Sequence, residues 1–154
     1  MRKIKIGLAQ LLFWIVGVAG TATAIAGEGL PTITLPISGQ QVTAEVATTD
    51  AALQRGLQGR RSMPENAGML LVLPDAALRC VWMKDTPLAL SAAFLDETGT
   101  VIMLADMEPL SLDFHCSTSS ARYVLEMNRG WFARYSVAVG ARLDLGELQT
   151  NKGR

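Results

Sequence analysis

The chain has 154 residues, 49% of them hydrophobic, and its 14 basic side chains are balanced by 14 acidic ones. This length suits one ordinary domain with a single core. The lack of a basic excess disfavours nucleic acid or an anionic membrane surface as a partner, because both require a basic footprint on the protein.

Residues 1–26 have the pattern of a secretory signal peptide. Three basic residues precede an apolar core over 8–19, and Ala24-Ile25-Ala26 has the small-residue pattern that signal peptidase reads. We predict cleavage after residue 26, export to the periplasm or the medium, and no stable membrane insertion afterwards. The alternative is an uncleaved N-terminal anchor. Cleavage leaves 14 − 3 = 11 basic against 14 acidic side chains, a net charge of −3.

Residues 27–154 are predicted to form a single domain made mainly of short strands. Alternating and β-branched apolar residues indicate the strands, and Gly, Pro, Asn and Asp mark the turns. In chain order, we predict strands over 32–37 and 42–47, a helix over 50–58 with Thr48 or Thr49 as its start signal, and strands over 68–73 and 79–84. A hairpin over 91–104, a long polar loop over 106–120 and a strand over 122–127 follow. The chain then forms one or two helical turns over 128–135 and a closing segment over 137–145 that turns at Gly140. The expected fold is a compact β-barrel or sandwich-like domain with one or two short helices.

The cysteine content consists of Cys80 and Cys116. Two cysteines in an exported chain predict a disulfide, with two free structural thiols as the alternative. The close spacing of thiol oxidoreductases is absent, which disfavours a redox-active pair. His115 is the one histidine of the sequence, so a four-ligand metal site cannot be assembled and we expect no metal.

The run Trp82-Met83-Lys84-Asp85-Thr86 combines charge, a hydroxyl and an aromatic ring in a segment that otherwise reads as buried. If Lys84 shares a face with Trp82, it stands beside an aromatic wall suited to an anionic or polar ligand. A partly desolvated lysine can also serve as a base or nucleophile. The structural alternative is that Lys84 extends along the sheet and pairs with Asp85 or Glu126.

Glu126 lies in an otherwise apolar run over 124–127. Strand alternation places its side chain opposite Leu125 and Met127, so it faces either solvent or a pocket, and the sequence leaves both open. His115 is either a general acid or base, or a loop residue that supports the disulfide region.

Several short motifs stand in the order seen in one protein family. They are Arg55-Gly56-Leu57 with Arg60, Gly68-Met69-Leu70, Trp82-Met83-Lys84-Asp85-Thr86, Phe94-Leu95-Asp96 with Gly99, Pro109, Tyr123-Val124-Leu125-Glu126-Met127, and Gly130 with Gly140. On these residues the chain resembles the domain-of-unknown-function 192 family, a set of small, mostly exported proteins, over about residues 33–146. The resemblance implies a single mainly-β domain and carries no activity with it.

These observations favour a domain that binds a small polar ligand or an envelope partner without a cofactor. The predicted ligand-binding residues are Arg60, Trp82, Lys84, Thr86 and Glu126. The first alternative is an enzyme in which Lys84, with Glu126 or His115, performs acid–base chemistry on a small polar or sugar-like substrate. The second alternative is a structural or assembly factor of the cell envelope. No phosphate-binding loop or nucleophile elbow is present in the sequence, so we assign no catalytic residues.

Overall fold

The computed structural model describes residues 29–146 and residue 148, and the proposed signal peptide lies outside them. The described part is mainly β, as the sequence predicts. Its elements are β1 (Thr32–Ile37), β2 (Gln40–Ala47), α1 (Asp50–Arg55), β3 (Ala67–Ala77), β4 (Cys80–Val81), β5 (Leu90–Leu95), β6 (Val101–Met107), β7 (His115–Cys116), β8 (Ala121–Asn128) and α2 (Trp131–Arg134). Among these residues, no helix is long and apolar enough to cross a membrane.

Six strands form one mixed sheet in the order β1-β2-β3-β8-β5-β6. β2 and β3 run parallel through the α1 crossover, and the other neighbours are antiparallel. β8 inserts between β3 and β5, so β1 and β6 lie at opposite edges and the sheet stays open. The barrel alternative is therefore wrong, whereas a sandwich-like domain fits, because a second, two-stranded sheet of β4 and β7 adds Val81 to the core on one face.

The helix α1 begins where the sequence predicts and ends earlier. The Thr49 hydroxyl accepts a hydrogen bond from the Ala52 backbone N–H at 3.2 Å, which satisfies one of the free amides of the first turn. Gly56 has φ +46°, a value that glycine adopts without steric cost, and its N–H bonds to the Ala52 carbonyl at 2.9 Å. The helix therefore covers Asp50–Arg55 instead of the predicted 50–58.

The predicted strand over 79–84 is also shorter than expected, because only Cys80–Val81 pairs as a strand. The Met83 N–H donates to the Ser111 carbonyl at 3.1 Å, and the Met83 carbonyl accepts from the Thr86 N–H at 3.0 Å. Asp85 has φ +55°. The chain thus turns immediately after Trp82, and this turn sets the direction of the Lys84 side chain.

Two other segments differ in detail from their predictions. The polar loop over 106–120 contains the short strand β7. The closing segment over 137–145 lies along the end of the sheet with bridges at Leu143 to Ile37 and at Arg142 to Thr100, and it forms no named strand.

Each face of the six-stranded sheet carries a hydrophobic layer. Leu125 and Met127 point into the first layer, which is covered by Trp131 and Phe132 of α2. Val124 and Glu126 point to the opposite face, because alternate residues of a strand face opposite sides. That second layer is covered by Leu57, Met83 and Leu88. Glu126 is the only charged side chain among the buried residues that the structure describes.

Gly68 is required by the close approach of β3 to β8. A Cβ atom at this position would lie 2.5 Å from the Glu126 carbonyl oxygen and would overlap the Met127 sulfur. Because the Glu126 carbonyl oxygen belongs to the backbone and cannot move aside, we expect Gly68→Ala to destabilise the domain by about 1–3 kcal/mol. Urea unfolding measures this change. Gly29→Ala is the matched control, since open space surrounds that residue. Equal stability of the two variants would contradict this account of the β3–β8 contact.

Candidate functional site

A cavity of about 320 Å³ lies on the second face of the sheet, between the end of α1, the strands β3 and β8, and the segment over 78–86. We call it the Glu126 cavity. Its apolar wall includes Leu53, Leu57, Leu71, Leu73, Leu90 and Val124. Its polar lining includes Gln54, Arg55, Gln58, Lys84, Thr86 and Glu126. Sites for small molecules combine apolar walls with placed polar groups, and this cavity has both.

Glu126 is held in the middle of the sheet. Its register partners are Met69 on β3 and Ala92 on β5, so it has a strand on either side. The residue is 6% exposed, and no hydrogen bond or ion pair to its carboxyl is present among the described residues. The Glu126 oxygens are not among the described side-chain atoms that are both sealed from solvent and without a hydrogen-bond partner. Because these oxygens have no partner among the described residues, they are not fully sealed from the space around them. The carboxyl therefore meets the open space of the cavity.

Burial determines the protonation of this carboxyl. Removal from water disfavours the charged form, and it raises the pKa of Glu126 from 4.5 to about 7. With no partner among the described residues to stabilise the charge, the group titrates near neutral pH. Such a carboxyl can donate a hydrogen bond, accept one, or form an ion pair with a cation, depending on which ligand enters the cavity.

Trp82 and Lys84 stand at the mouth of the cavity. The Trp82 ring is 40% exposed and stacks on Phe114, with 5.4 Å between ring centroids and 9° between planes. Lys84 Nζ lies 5.5 Å from the Trp82 centroid, within the range of a cation–π contact. Lys84 makes no ion pair with Asp85 or Glu126, nor with any other carboxylate of the described residues.

Thr86 is buried and connects the mouth to the interior. Its hydroxyl donates to the Lys84 carbonyl at 3.2 Å, and its own carbonyl accepts from the Leu110 N–H at 3.0 Å. These bonds hold the turn that carries Lys84 against the loop over 106–120.

The predicted disulfide between Cys80 and Cys116 is present in the structure and joins β4 to β7. Cys80 also lines the Glu126 cavity, so the covalent link holds one wall of the site to the long loop. His115 pairs with Val81 across these two strands. It is half-buried and does not line the cavity.

Arg60 lies apart from the other predicted site residues. Its guanidinium forms a two-point pair with Glu45, with bonds of 2.5 Å and 2.9 Å. The side-chain hydrogen bond that Arg60 donates to Glu45 raises the pKa of Arg60. The residue lines a neighbouring surface depression beside α1 and not the Glu126 cavity. The structure thus brings Trp82, Lys84, Thr86 and Glu126 together and leaves Arg60 outside.

Sequence reasoning missed the part of the site that comes from α1 and from the loop. Gln54, Arg55 and Gln58 line the cavity mouth, and Phe114 backs the Trp82 ring. The motif Arg55-Gly56-Leu57 was the available signal for the first group, because it is one of the landmarks of the resemblance. No local pattern marks Phe114, since its contact with Trp82 depends on how the loop folds back.

The expected absence of a metal and of a cofactor stays a prediction. Within residues 29–146 and 148, no group of three or more His, Cys, Asp or Glu side chains is placed to hold a metal ion.

Solved structures with a similar fold include the following two proteins. One is a protein of Sinorhizobium meliloti 1021 that has been proposed to be a transcription regulator, with 29% identity and a TM-score of 0.73 over 76% of this chain and 95% of that chain. The other is a protein of unknown function from Novosphingobium aromaticivorans DSM 12444, with 23% identity and a TM-score of 0.73 over 79% of this chain and 89% of that chain. The second likeness shows the fold alone.

Comparison with curated proteins finds no match to the sequence. Comparison with protein families finds a family model that matches residues 33–145 and is described as an uncharacterized ACR. That range spans nearly the whole described part and contains every landmark quoted above. The chain belongs to the domain-of-unknown-function 192 family.

Proposed function

We propose that this protein binds a small polar ligand in the Glu126 cavity. The observation that carries the proposal is a carboxyl that is 6% exposed, has no partner in the described residues, and faces an open cavity. A buried polar group without a partner is costly, so a group of this kind is expected to have one in the functional state. A ligand that enters the cavity can supply that partner.

The dimensions of the cavity define the size of the ligand. Its volume of about 320 Å³ lies at the lower end of the range for small-molecule sites. Since a water molecule occupies about 30 Å³ in the liquid, the space corresponds to a ligand on the order of ten heavy atoms. The stacked rings of Trp82 and Phe114 supply a flat apolar wall at the mouth, and Lys84 supplies a charge beside it.

An acid–base enzyme is the second candidate function. It is favoured by the pKa of about 7 at Glu126, because a group that titrates near the working pH transfers protons efficiently. Lys84 lines the same cavity and is the candidate partner. His115 does not line the cavity, which supports Glu126 over His115 as the group that exchanges the proton.

The same proposal includes export of the protein and contact with a protein partner in the cell envelope. The Cys80–Cys116 disulfide supports an oxidising compartment, since such bonds persist outside the cytosol. Leu110, Leu112 and Phe114 expose apolar side chains on the long loop, which suits contact with a protein partner. We do not extend to this chain the regulatory role proposed for the Sinorhizobium relative, because the predicted mature chain is net acidic and four of its arginines pair with carboxylates.

A thermal-shift screen tests ligand binding directly. Purified protein is melted with sugars, amino acids and cell-wall fragments, wild type beside Trp82→Ala. A ligand at 100 times its dissociation constant should stabilise the fold by about 2.7 kcal/mol and raise the melting temperature by several degrees. We expect this shift to shrink in Trp82→Ala, because the variant loses the aromatic wall.

Arg61→Ala is the control, since Arg61 is exposed and does not line the cavity. A screen in which no compound shifts the wild-type melting temperature would count against ligand binding and favour the assembly-factor alternative. A shift that survives Trp82→Ala unchanged would place the ligand elsewhere on the protein.

A further inference from the structure

The polar groups deepest in the Glu126 cavity are hydrogen-bond acceptors. Thr86 and Glu126 are the buried polar residues on its wall, at 4% and 6% exposed. The Thr86 hydroxyl uses its one proton on the Lys84 carbonyl, so it offers a ligand only lone pairs. An ionised carboxylate offers only lone pairs as well. With Glu126 ionised, the inner end of the cavity therefore suits a ligand group that is rich in donors.

The donors and positive charges stand at the mouth. Gln54, Arg55 and Lys84 are exposed and line the cavity. Neither Arg55 nor Lys84 has a carboxylate oxygen within 4.0 Å in the described part of the chain. The outer end of the cavity therefore suits a ligand group that accepts hydrogen bonds and carries negative charge.

Arg79 also lines the cavity and carries a donor nitrogen that is sealed from solvent and has no partner among the described residues. This nitrogen is Nε, and the Nη2 of the same side chain is bound to Asp75. The sealed Nε therefore offers no donor to a ligand in the cavity.

The separation of charges favours a cationic group at the inner end. No Lys or Arg nitrogen in the described residues lies within 4.0 Å of the Glu126 carboxyl. In a site shielded from water, a charge pair is stronger than at the surface, so a ligand cation would offset the cost of an ionised carboxyl. An ammonium group brings three N–H donors, which match the acceptors of Glu126 and Thr86.

We propose that the Glu126 cavity binds a small zwitterion, with its protonated amino group against Glu126 and Thr86 and its anionic group at the mouth beside Lys84. This inference rests on the proposed function, because it names the class of ligand for the same site. It also fixes the orientation, since the reverse orientation would place an anion against a carboxyl and a cation beside Lys84 and Arg55.

The test uses amino acids of increasing length as probes. Glycine, β-alanine, γ-aminobutyrate and δ-aminovalerate are titrated into the purified protein at pH 8 by isothermal calorimetry. We expect one of these four amino acids, whose length matches the cavity, to bind more tightly than the others. Its hydroxy-acid analogue and the alkylamine of equal length should each bind about tenfold more weakly or worse, because each lacks one of the two charges.

Two variants assign the two ends of the ligand. Glu126→Gln should weaken the best amino acid by about tenfold or more and change the hydroxy acid much less. Lys84→Met should weaken the amino acid and the hydroxy acid alike and spare the alkylamine. Arg61→Ala should leave all three affinities unchanged, and cooperative melting of each variant shows that it is folded.

The outcomes separate this inference from the proposed function. If the screen finds a neutral ligand and no amino acid binds, the zwitterion is refuted while ligand binding stands. If an amino acid binds and Glu126→Gln leaves its affinity unchanged, the assignment of the inner end is refuted. If no compound of either kind binds, both proposals fail.

Discussion

Glu126→Gln should make this protein more stable than the wild type at pH 8, by an amount on the order of 3 kcal/mol. The reason is that burial raises the pKa of Glu126 from 4.5 to about 7. The folded protein thus favours the protonated acid, whereas the unfolded chain ionises near pH 4.5. The contribution of the protonated acid to stability is fully present below pH 4.5 and is lost as the pH rises to about 7. The uncharged glutamine has no charge to desolvate at any pH.

The measurement is urea unfolding of both proteins between pH 4 and pH 8. The free energy of unfolding of Glu126→Gln minus that of the wild type should rise across this range and level off above pH 7. Other carboxyls titrate in both proteins and cancel in the difference. Glu97→Gln is the matched control for replacing a glutamate by a glutamine, because Glu97 is exposed in the β5–β6 turn. A difference for Glu126→Gln that does not exceed that of Glu97→Gln would show that the Glu126 carboxyl has a partner in solution.

Opening the Cys80–Cys116 disulfide should cost about 3–4 kcal/mol of stability, because the bond restricts a loop of this length in the unfolded chain. The two residues are 36 positions apart, and both are exposed, so Cys80→Ser with Cys116→Ser should remove the bond without opening a cavity in the core. The measurement is the urea midpoint of the wild type and of the double variant, each with and without reductant.

Reductant should lower the midpoint of the wild type to that of the double variant and leave the double variant unchanged. That pattern separates loss of the bond from a general effect of the reductant. A wild-type midpoint that does not move, with alkylation proving full reduction, would show that the bond adds nothing to stability. Because Cys80 lines the Glu126 cavity, the same samples show whether ligand affinity depends on the link.

Local features of the fold were predictable because they depend on neighbouring residues. The Thr49 cap, the buried run at the start of β3 and the β5–β6 hairpin each follow from a few adjacent side chains. Lengths were less predictable, since the backbone bond from Met83 to Ser111 and the positive φ of Asp85 end the strand at Val81. The order of strands was not predictable, because pairing joins segments that are far apart in the chain.

The candidate site shows the same division. The sequence placed Lys84 beside Trp82, and the structure sets Lys84 Nζ 5.5 Å from the Trp82 ring. It could not show that Arg60 binds Glu45, because that contact depends on α1 bringing the two residues together. It also left Glu126 either solvent-facing or pocket-facing, since alternation gives the side of a strand but not what covers that side.

The sequence by itself determined the mainly-β character, the family, the cysteine pair and the Trp82–Thr86 motif. Composition, the alternation of apolar and polar residues, and turn residues can all be identified from neighbouring positions in the chain. The tertiary structure alone decided that the sheet is open, that Glu126 is buried between β3 and β5 without a partner among the described residues, and that Arg60 lies outside the cavity. These features depend on which distant strands pair and on what packs over them. The protonation of Glu126 follows from that packing, because the desolvation that raises its pKa exists only in the assembled sheet.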